Sequence, residues 1–199
     1  LSDKQKQVLQ MNMEAVERMV KLIDVFLDIS RIEADRVQLS KEMVQLSEVI
    51  DSVVKELRPM AEKKGLQLNE EIKGKLPETY VDPQKIRQVV LNLIDNAIKY
   101  TVKGNVKITA WSEDKKIIAE VKDTGIGIAK DEVHRLFAKF VRAGGGAKID
   151  QSGSGLGLFI IKGLVEAHGG KVYVKSEGEG KGTTFGFILN VEQEPKKKN

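Results

Sequence analysis

The chain of 199 residues contains no cysteine, which excludes disulfides, thiolate metal sites and cysteine nucleophiles but says nothing of compartment. Aromatic residues amount to 5% and do not alternate with basic ones, so nucleic acid is a poor partner. No apolar run approaches the roughly 20 residues of a membrane span, and no secretory pattern is visible. The expectation is a cytoplasmic piece without direct membrane insertion, whatever anchors its parent protein. Strong charge of one sign is also lacking: the net charge is +4, part of it from Lys196-Lys197-Lys198. Residues 193–199 therefore read as a solvated basic tail or linker. What remains is a soluble globular composition, 41% hydrophobic and 31% charged, with room for one sizeable core and an appendage or for two small domains.

Up to about residue 39 there is neither glycine nor proline, and Leu9, Met13, Val16, Val20, Ile23 and Leu27 recur at alternating four- and three-residue spacing. That is the seam of a long packed helix. A second row, Met19, Leu22, Phe26 and Ile29, widens the apolar face. One helix cannot bury both rows on itself, so partner helices are expected, with folding back onto its own domain as the alternative. The pattern changes after Ala34-Asp35-Arg36, placing a domain boundary near residues 38–44. Beyond it, Val44-Gln45-Leu46 reads as extended, and Ser47 with Glu48 begins a helix running toward Lys64 and ended by Gly65. Leu66 to Ile72 alternates as a strand, Tyr80-Val81 is a brief one, and Asp82-Pro83 caps a helix. Val106 to Trp111 and Ile117 to Val121 read as paired strands. Lys171 to Ser176 and Thr184 to Leu189 read as two more, after a helix from about Leu156 to His168. Hairpin-like strand pairs with helices between them predict an α+β fold: a two-layer α/β sandwich, a mixed sheet with helices on one face, behind the long N-terminal helix.

The helix after Asp82 carries polar groups where a buried helix ordinarily has none. Asn92, Asn96, Lys99 and Tyr100 fall on one face, while Ile86, Val90, Leu93, Ile94, Ala97 and Ile98 cover the rest. Such a stripe faces a ligand or a buried network; two satisfied core asparagines beside a solvated lysine is the plainer reading. Further along comes Asp123-Thr124-Gly125-Ile126-Gly127-Ile128. A carboxylate at a strand end, followed by two glycines, can accept from an exocyclic amine such as adenine's while the backbone approaches a flat ligand. The same residues also make a common turn. A second glycine set, Gly153-Ser154-Gly155-Leu156-Gly157-Leu158, opens a helix, where backbone N–H groups and the helix dipole favour phosphate. It is neither the Walker pattern nor the dinucleotide fingerprint. Between the two sets lies a polar stretch with Ala143-Gly144-Gly145-Gly146, long enough for a mobile lid or for a surface loop without a role.

Taken in order with Phe137-x-x-Phe140 and Gly180-Lys181-Gly182-Thr183-Thr184-Phe185, these stretches resemble the N, first G, F, second G and third G boxes of the sensor histidine kinase catalytic domain. That domain belongs to the superfamily of gyrase, the Hsp90 chaperones and MutL. Residues 26–33 look like the end of the second helix of the family's dimerisation and phosphotransfer domain, and Ala167-His168-Gly169-Gly170 like the sequel to the second G helix. The resemblance implies a dimerisation helix at 1–40 and a Bergerat-type ATP-binding domain at 41–192, with ATP and Mg²⁺ as cofactors. It implies Asn96 as the Mg²⁺ ligand with Asn92 one turn earlier, Lys99 and Arg142 on phosphate, and Tyr100 lining the nucleotide pocket. Asp123 would accept from the adenine amine beside Gly125, Gly127 and Ile128, and Gly155, Leu156, Gly157 and Leu158 would cradle phosphate. Thr184 is expected near the adenine, with Thr183 as the other candidate.

The implied partners are the phosphoacceptor-histidine helix of a homodimeric parent kinase and the receiver domain of a response regulator, in a two-component phosphorelay. Neither His134 nor His168 is followed by the acidic residue and later proline expected around the phosphoacceptor, so that helix is expected ahead of Leu1. ATP-hydrolysing or serine-phosphorylating relatives carry a glutamate base four residues before the Mg²⁺-binding asparagine. Here that position is Asn92, which cannot take a proton. A scaffold without nucleotide would be expected to have eroded Asn96, Asp123 or the second glycine set, and all are intact.

Overall fold

The computed structural model describes residues 1–142 and 155–195, apart from the side chains of Glu14, Glu17, Arg18, Lys21, Leu22 and Asp24. The expected lid, Gly153, Leu22 of the second apolar row and the lysine tail at 196–198 thus lie outside the described residues. Two compact units are present, Leu1–Val37 and Gln38–Asn199. In the first, helix α1 (Asp3–Glu33) opens on a reciprocal cap: the Gln5 N–H donates to Ser2 Oγ, and the Ser2 N–H donates to the Gln5 side chain. Met13, Val16, Met19, Val20, Ile23 and Phe26 are each more than half exposed, so α1 presents most of its apolar rows outward. Among the described residues no helix is long and apolar enough to cross a membrane.

The second unit runs β1 (Glu42–Val44), α2 (Leu46–Lys63), β2 (Gln67–Lys73), β3 (Thr79–Val81), α3 (Pro83–Tyr100), β4 (Asn105–Glu113) and β5 (Lys116–Asp123). A 3-10 turn (Val133–Arg135), α4 (Gly157–Ala167), β6 (Lys171–Lys175) and β7 (Thr183–Asn190) follow. Five strands form one sheet in the order β2-β4-β5-β7-β6, and β1 pairs with β3 in a separate ribbon. The β2–β4 pair is parallel and the others antiparallel. Parallel pairing follows from the crossover through α3. The β4–β5 hairpin turns on Asp114 and Lys115, both with positive φ, as a two-residue turn matched to strand twist requires. Leu68, Val106, Ile108, Ala110, Ile117, Ala119, Val121, Phe187 and Leu189 are buried on one face of the sheet, and α2, α3 and α4 pack there. The result is the expected two-layer arrangement.

One local expectation gives way. The extended piece ends at Val44, Gln45 is the N-cap, and Leu46 is the first helical residue with its side chain fully buried. Burying a leucine, at roughly 1.5–3 kcal/mol, outweighs a serine cap of about 1 kcal/mol. His134 lies in the 3-10 turn that leads toward the phenylalanine pair. The backbone there closes in successive three-residue steps, Glu132 to Ala129, Arg135 to Glu132 and Ala138 to Arg135, which brings Leu136 into the core.

The start of α3 is fixed from several sides. Asp82 Oδ1 accepts from the N–H groups of Gln84 and Lys85 at 3.0 Å each, and Pro83 fits the first turn. Asp82 Oδ2 accepts from the Ser40 N–H at 2.8 Å. The Asp82 N–H donates to His168 Nε2 at 3.0 Å, and His168 Nδ1 lies 2.8 Å from the Leu164 carbonyl. A backbone N–H can only donate and a carbonyl can only accept, so the ring is neutral with its hydrogen on Nδ1. Burial holds the His168 pKa below its ordinary value. The stability contributed by this neutral imidazole is present above the ordinary value of 6.5 and is lost as pH falls below it, because the unfolded chain takes the proton first. Urea unfolding at pH 7.5 and pH 5.5 is expected to show the wild type losing more stability on acidification than His168→Gln. At pH 7.5 the variant is expected to be weaker by about 1–3 kcal/mol.

Candidate functional site

Asp123, the last residue of β5, is 5% exposed. Its Oδ1 accepts from the Gly125 N–H at 2.8 Å and from the Thr183 N–H at 3.2 Å. Oδ2 has no partner among the described residues, so it is the acceptor left for an incoming donor. Burial pushes the carboxyl pKa up from 3.8 to about 6, with the two N–H bonds partly opposing the shift. At pH 7 this is an ionised carboxylate largely stripped of water.

Two loops frame it. A Cβ on Gly125 would collide with the Tyr100 carbonyl, and one on Gly127, whose φ is +67°, with the Gly178 carbonyl. The Ile126 N–H donates to the Tyr100 carbonyl at 3.2 Å, tying the first loop to the end of α3. Gly180 N–H to Ile126 O (2.6 Å) and Gly182 N–H to Gly125 O (3.2 Å) tie it to the loop between β6 and β7. Ile128 is buried, and its N–H donates to Ser176 Oγ at 3.0 Å. Ser176 carried no sequence signal beyond its place at the end of β6.

On α3, Asn92, Asn96 and Tyr100 are half-buried, and exposed Lys99 lies 2.8 Å from the Asp95 carboxylate one turn back. The start of α4 stands beside this helix. Among the described residues a Cβ on Gly157 would meet only the Asn96 amide, at 3.9 Å, an ordinary van der Waals contact. The N-cap residue, Leu156, makes no side-chain cap bond to α4, and the first N–H groups of a helix suit an external acceptor. Leu156 is buried, and Gly155 and Leu158 are half-buried. Gly155 has φ +70°, and a Cβ there would sit 2.9 Å from the Phe140 carbonyl carbon. Phe140 itself adopts φ +60° and is 73% exposed. Phe137 meets Phe185 edge to face at 6.4 Å, and Arg142 is half-buried.

The two threonines separate by strand alternation. Thr183 pairs across the sheet with Asp123, shares its face and is 6% exposed. Thr184 pairs with Lys122 and Lys175 and therefore points to the opposite face. Of the two candidates, Thr183 is the one beside the carboxylate. Among the described residues no three His, Cys, Asp or Glu side chains gather to hold a metal ion.

Because the folded-state pKa of Asp123 is raised from 3.8 to about 6, its ionised form costs the fold about 3 kcal/mol at pH 7. That cost falls away as pH drops through 6, and it is gone once the pH is well below 3.8, where folded and unfolded chains are both protonated. Asn at this position keeps an oxygen for the Gly125 and Thr183 donors. Asp123→Asn is expected to stabilise the ligand-free chain by about 1–3 kcal/mol at pH 7, with the gain shrinking below pH 6 and vanishing well below 3.8, as read by urea unfolding.

A family model described as Histidine kinase-, DNA gyrase B-, and HSP90-like ATPase matches residues 81–193. Sensor protein SrrB of Staphylococcus aureus is 35% identical over 184 residues, which is 92% of this chain and 31% of that protein. Circadian input-output histidine kinase CikA of Synechococcus elongatus is 33% identical over 188 residues, 93% of this chain and 25% of that protein. The crystal structure of full-length ShkA in complex with AMPPNP superposes with a TM-score of 0.84 at 29% identity, covering 98% of this chain and 41% of that one. The chain thus spans between a quarter and a third of the length of these curated relatives. With the family model covering more than half of its residues and relatives above 30% identity along nearly all of it, the chain belongs to the histidine kinase-, DNA gyrase B- and HSP90-like ATPase family.

Proposed function

We propose that the chain binds Mg·ATP and presents the γ-phosphate to a histidine carried on another helix. The observation that carries this reading is the buried Asp123 carboxylate, with one oxygen held by two backbone N–H groups and the other uncommitted. Adenine offers the matching donor, its exocyclic amine. Thr183, Gly125, Gly127, Ile128 and Tyr100 surround the base. Gly155 to Leu158 take the phosphates at the start of α4, joined by Arg142 and by Lys99 once it turns from Asp95. The names of the relatives, a sensor protein and a histidine kinase, support phosphoryl transfer as the reaction.

The half-buried Asn96 amide, beside Gly157 at the start of α4, suits Mg²⁺, which takes few protein oxygens and keeps waters and phosphates as its other ligands. The lack of an acidic cluster among the described residues accords with that donor set. When bound, Mg²⁺ offsets the charge on the phosphate oxygens. The chain's own groups orient the nucleotide. Asn92 offers no proton acceptor, so water is not activated and hydrolysis is slow. His168 is not the nucleophile, since both its ring nitrogens are bonded in a buried site. The exposed apolar rows of α1 suit a helix bundle in a homodimeric parent, which would bring the phosphoacceptor helix and, later, a response regulator receiver domain.

Calorimetric titration is expected to show Mg·ATP and Mg·ADP binding, weakened at least tenfold by Asp123→Asn, which replaces an acceptor with a second donor facing the amine. Asn96→Ala is expected to remove the Mg²⁺ dependence of binding and leave base recognition. Incubation with γ-labelled ATP is expected to leave no stable acid-labile label on this chain; label mapped to His134 or His168 would overturn the external-histidine reading.

A further inference from the structure

We infer that Ser176 is a positioning residue for base recognition: its hydroxyl, without touching the nucleotide, aims the Thr183 N–H at Asp123 and locks together the two loops that frame the base. This rests on the nucleotide reading above and extends it to a residue outside the recognised glycine sets.

Ser176 lies where β6 runs into the loop before β7. Its Oγ accepts from the Ile128 N–H at 3.0 Å, reaching the end of the first loop. It lies 2.9 Å from the Gly182 carbonyl and 3.4 Å from that of Gly178. A hydroxyl has one hydrogen to give, and the shorter contact places it on Gly182. That carbonyl belongs to the same planar peptide unit as the Thr183 N–H, and in a trans peptide the two point in opposite directions. Holding the oxygen therefore fixes the direction of the hydrogen, which donates to Asp123 Oδ1 at 3.2 Å. A donor on the carbonyl also polarises the N–H beyond it, strengthening the second bond in the chain.

The remaining ties between the loops are backbone to backbone, at Gly180–Ile126 and Gly182–Gly125. Among the described residues, Ser176 is the one side chain apart from Asp123 that bonds to both loops. Two N–H groups on Oδ1 decide which way the carboxylate faces, and so where Oδ2 waits for the amine. One of those two depends on Ser176.

The chemistry is selective for the base, and so is the test. Dissociation constants are measured for Mg·ATP, for Mg·ITP, whose base carries a carbonyl where adenine has its amine, and for Mg-bound inorganic triphosphate, which has no base. In Ser176→Ala the Kd for ATP is expected to rise about five- to tenfold, the scale of one weakened hydrogen bond to a charged group. The values for ITP and triphosphate are expected to stay within about twofold, so the ATP-to-ITP preference narrows. Ser176→Thr is expected to restore it, and Ser176→Cys, with a weaker donor in nearly the same volume, to fall between. Thermal melting of each variant separates this from loss of fold, and Ser176→Cys carries the test if the alanine variant does not fold. An unchanged ATP-to-ITP ratio in the alanine and cysteine variants, or equal losses for all three ligands, would overturn the role of Ser176 alone. A wild-type chain that binds triphosphate but does not distinguish ATP from ITP would overturn the amine reading of Asp123 and this inference with it.

Discussion

A carboxylate taken out of water must find donors, and the second unit of the chain is arranged to bring two of them to one oxygen of Asp123. The donors come from different segments, Gly125 in the loop following β5 and Thr183 at the first residue of β7. They meet because β5 and β7 are neighbours in register, with Asp123 opposite Thr183. The glycines of both loops serve this approach: at Gly127 and Gly182 a side chain would strike the facing backbone. Sheet order, register and loop composition thus converge on one acceptor atom. The stability lost by desolvating the charge is what leaves its second oxygen able to discriminate between donors.

The helix beside this carboxylate is held at both ends, by different chemistry. At its start, Asp82 joins Ser40, the first turn of α3 and the ring of His168. At its end, Lys64 Nζ donates to the carbonyls of Ile98 and Lys99 at 2.7 Å each, and Thr101 Oγ1 donates to the Ala97 carbonyl at 2.7 Å. A cation on the last carbonyls also meets the negative end of the helix dipole. Rotation of α3 about its axis would break both sets of bonds. The azimuth of the Asn92, Asn96, Tyr100 face is set by groups that are not themselves part of that face.

The order of elements was legible because the local signals are strong and agree with one another: Asp82-Pro83 announces α3, and apolar residues mark its buried side. The glycine pairs after Asp123 and before α4 were legible as well, since close backbone approach leaves a residue type behind. Strand ends slid where pairing runs past the apolar alternation, as in β4, which extends to Asn105 and Glu113. Thr183 and Thr184 could not be told apart, because two adjacent threonines carry no mark of which one faces inward; the register against β5 decides that. Ser176 was invisible for a different reason. Its partners are backbone groups of Ile128 and Gly182, and a bond to backbone imposes no pattern on the residues that supply it. Leu46 shows burial overriding a local cap preference that the sequence displays openly.

The contact between Phe140 and Gly155 sets the two feet of the stretch that joins them, with Gly155 packed onto the Phe140 backbone. Once the feet touch, the entropy of closing the loop grows only logarithmically, by about 0.6 kcal/mol for each doubling of length. At Asp123 the loops are joined instead by backbone bonds, Gly180 N–H to Ile126 O and Gly182 N–H to Gly125 O, and a Cβ on Gly182 would strike the Asp123 carbonyl. Chain length is thus a weak constraint between one pair of touching segments, and residue type a strict one between the other.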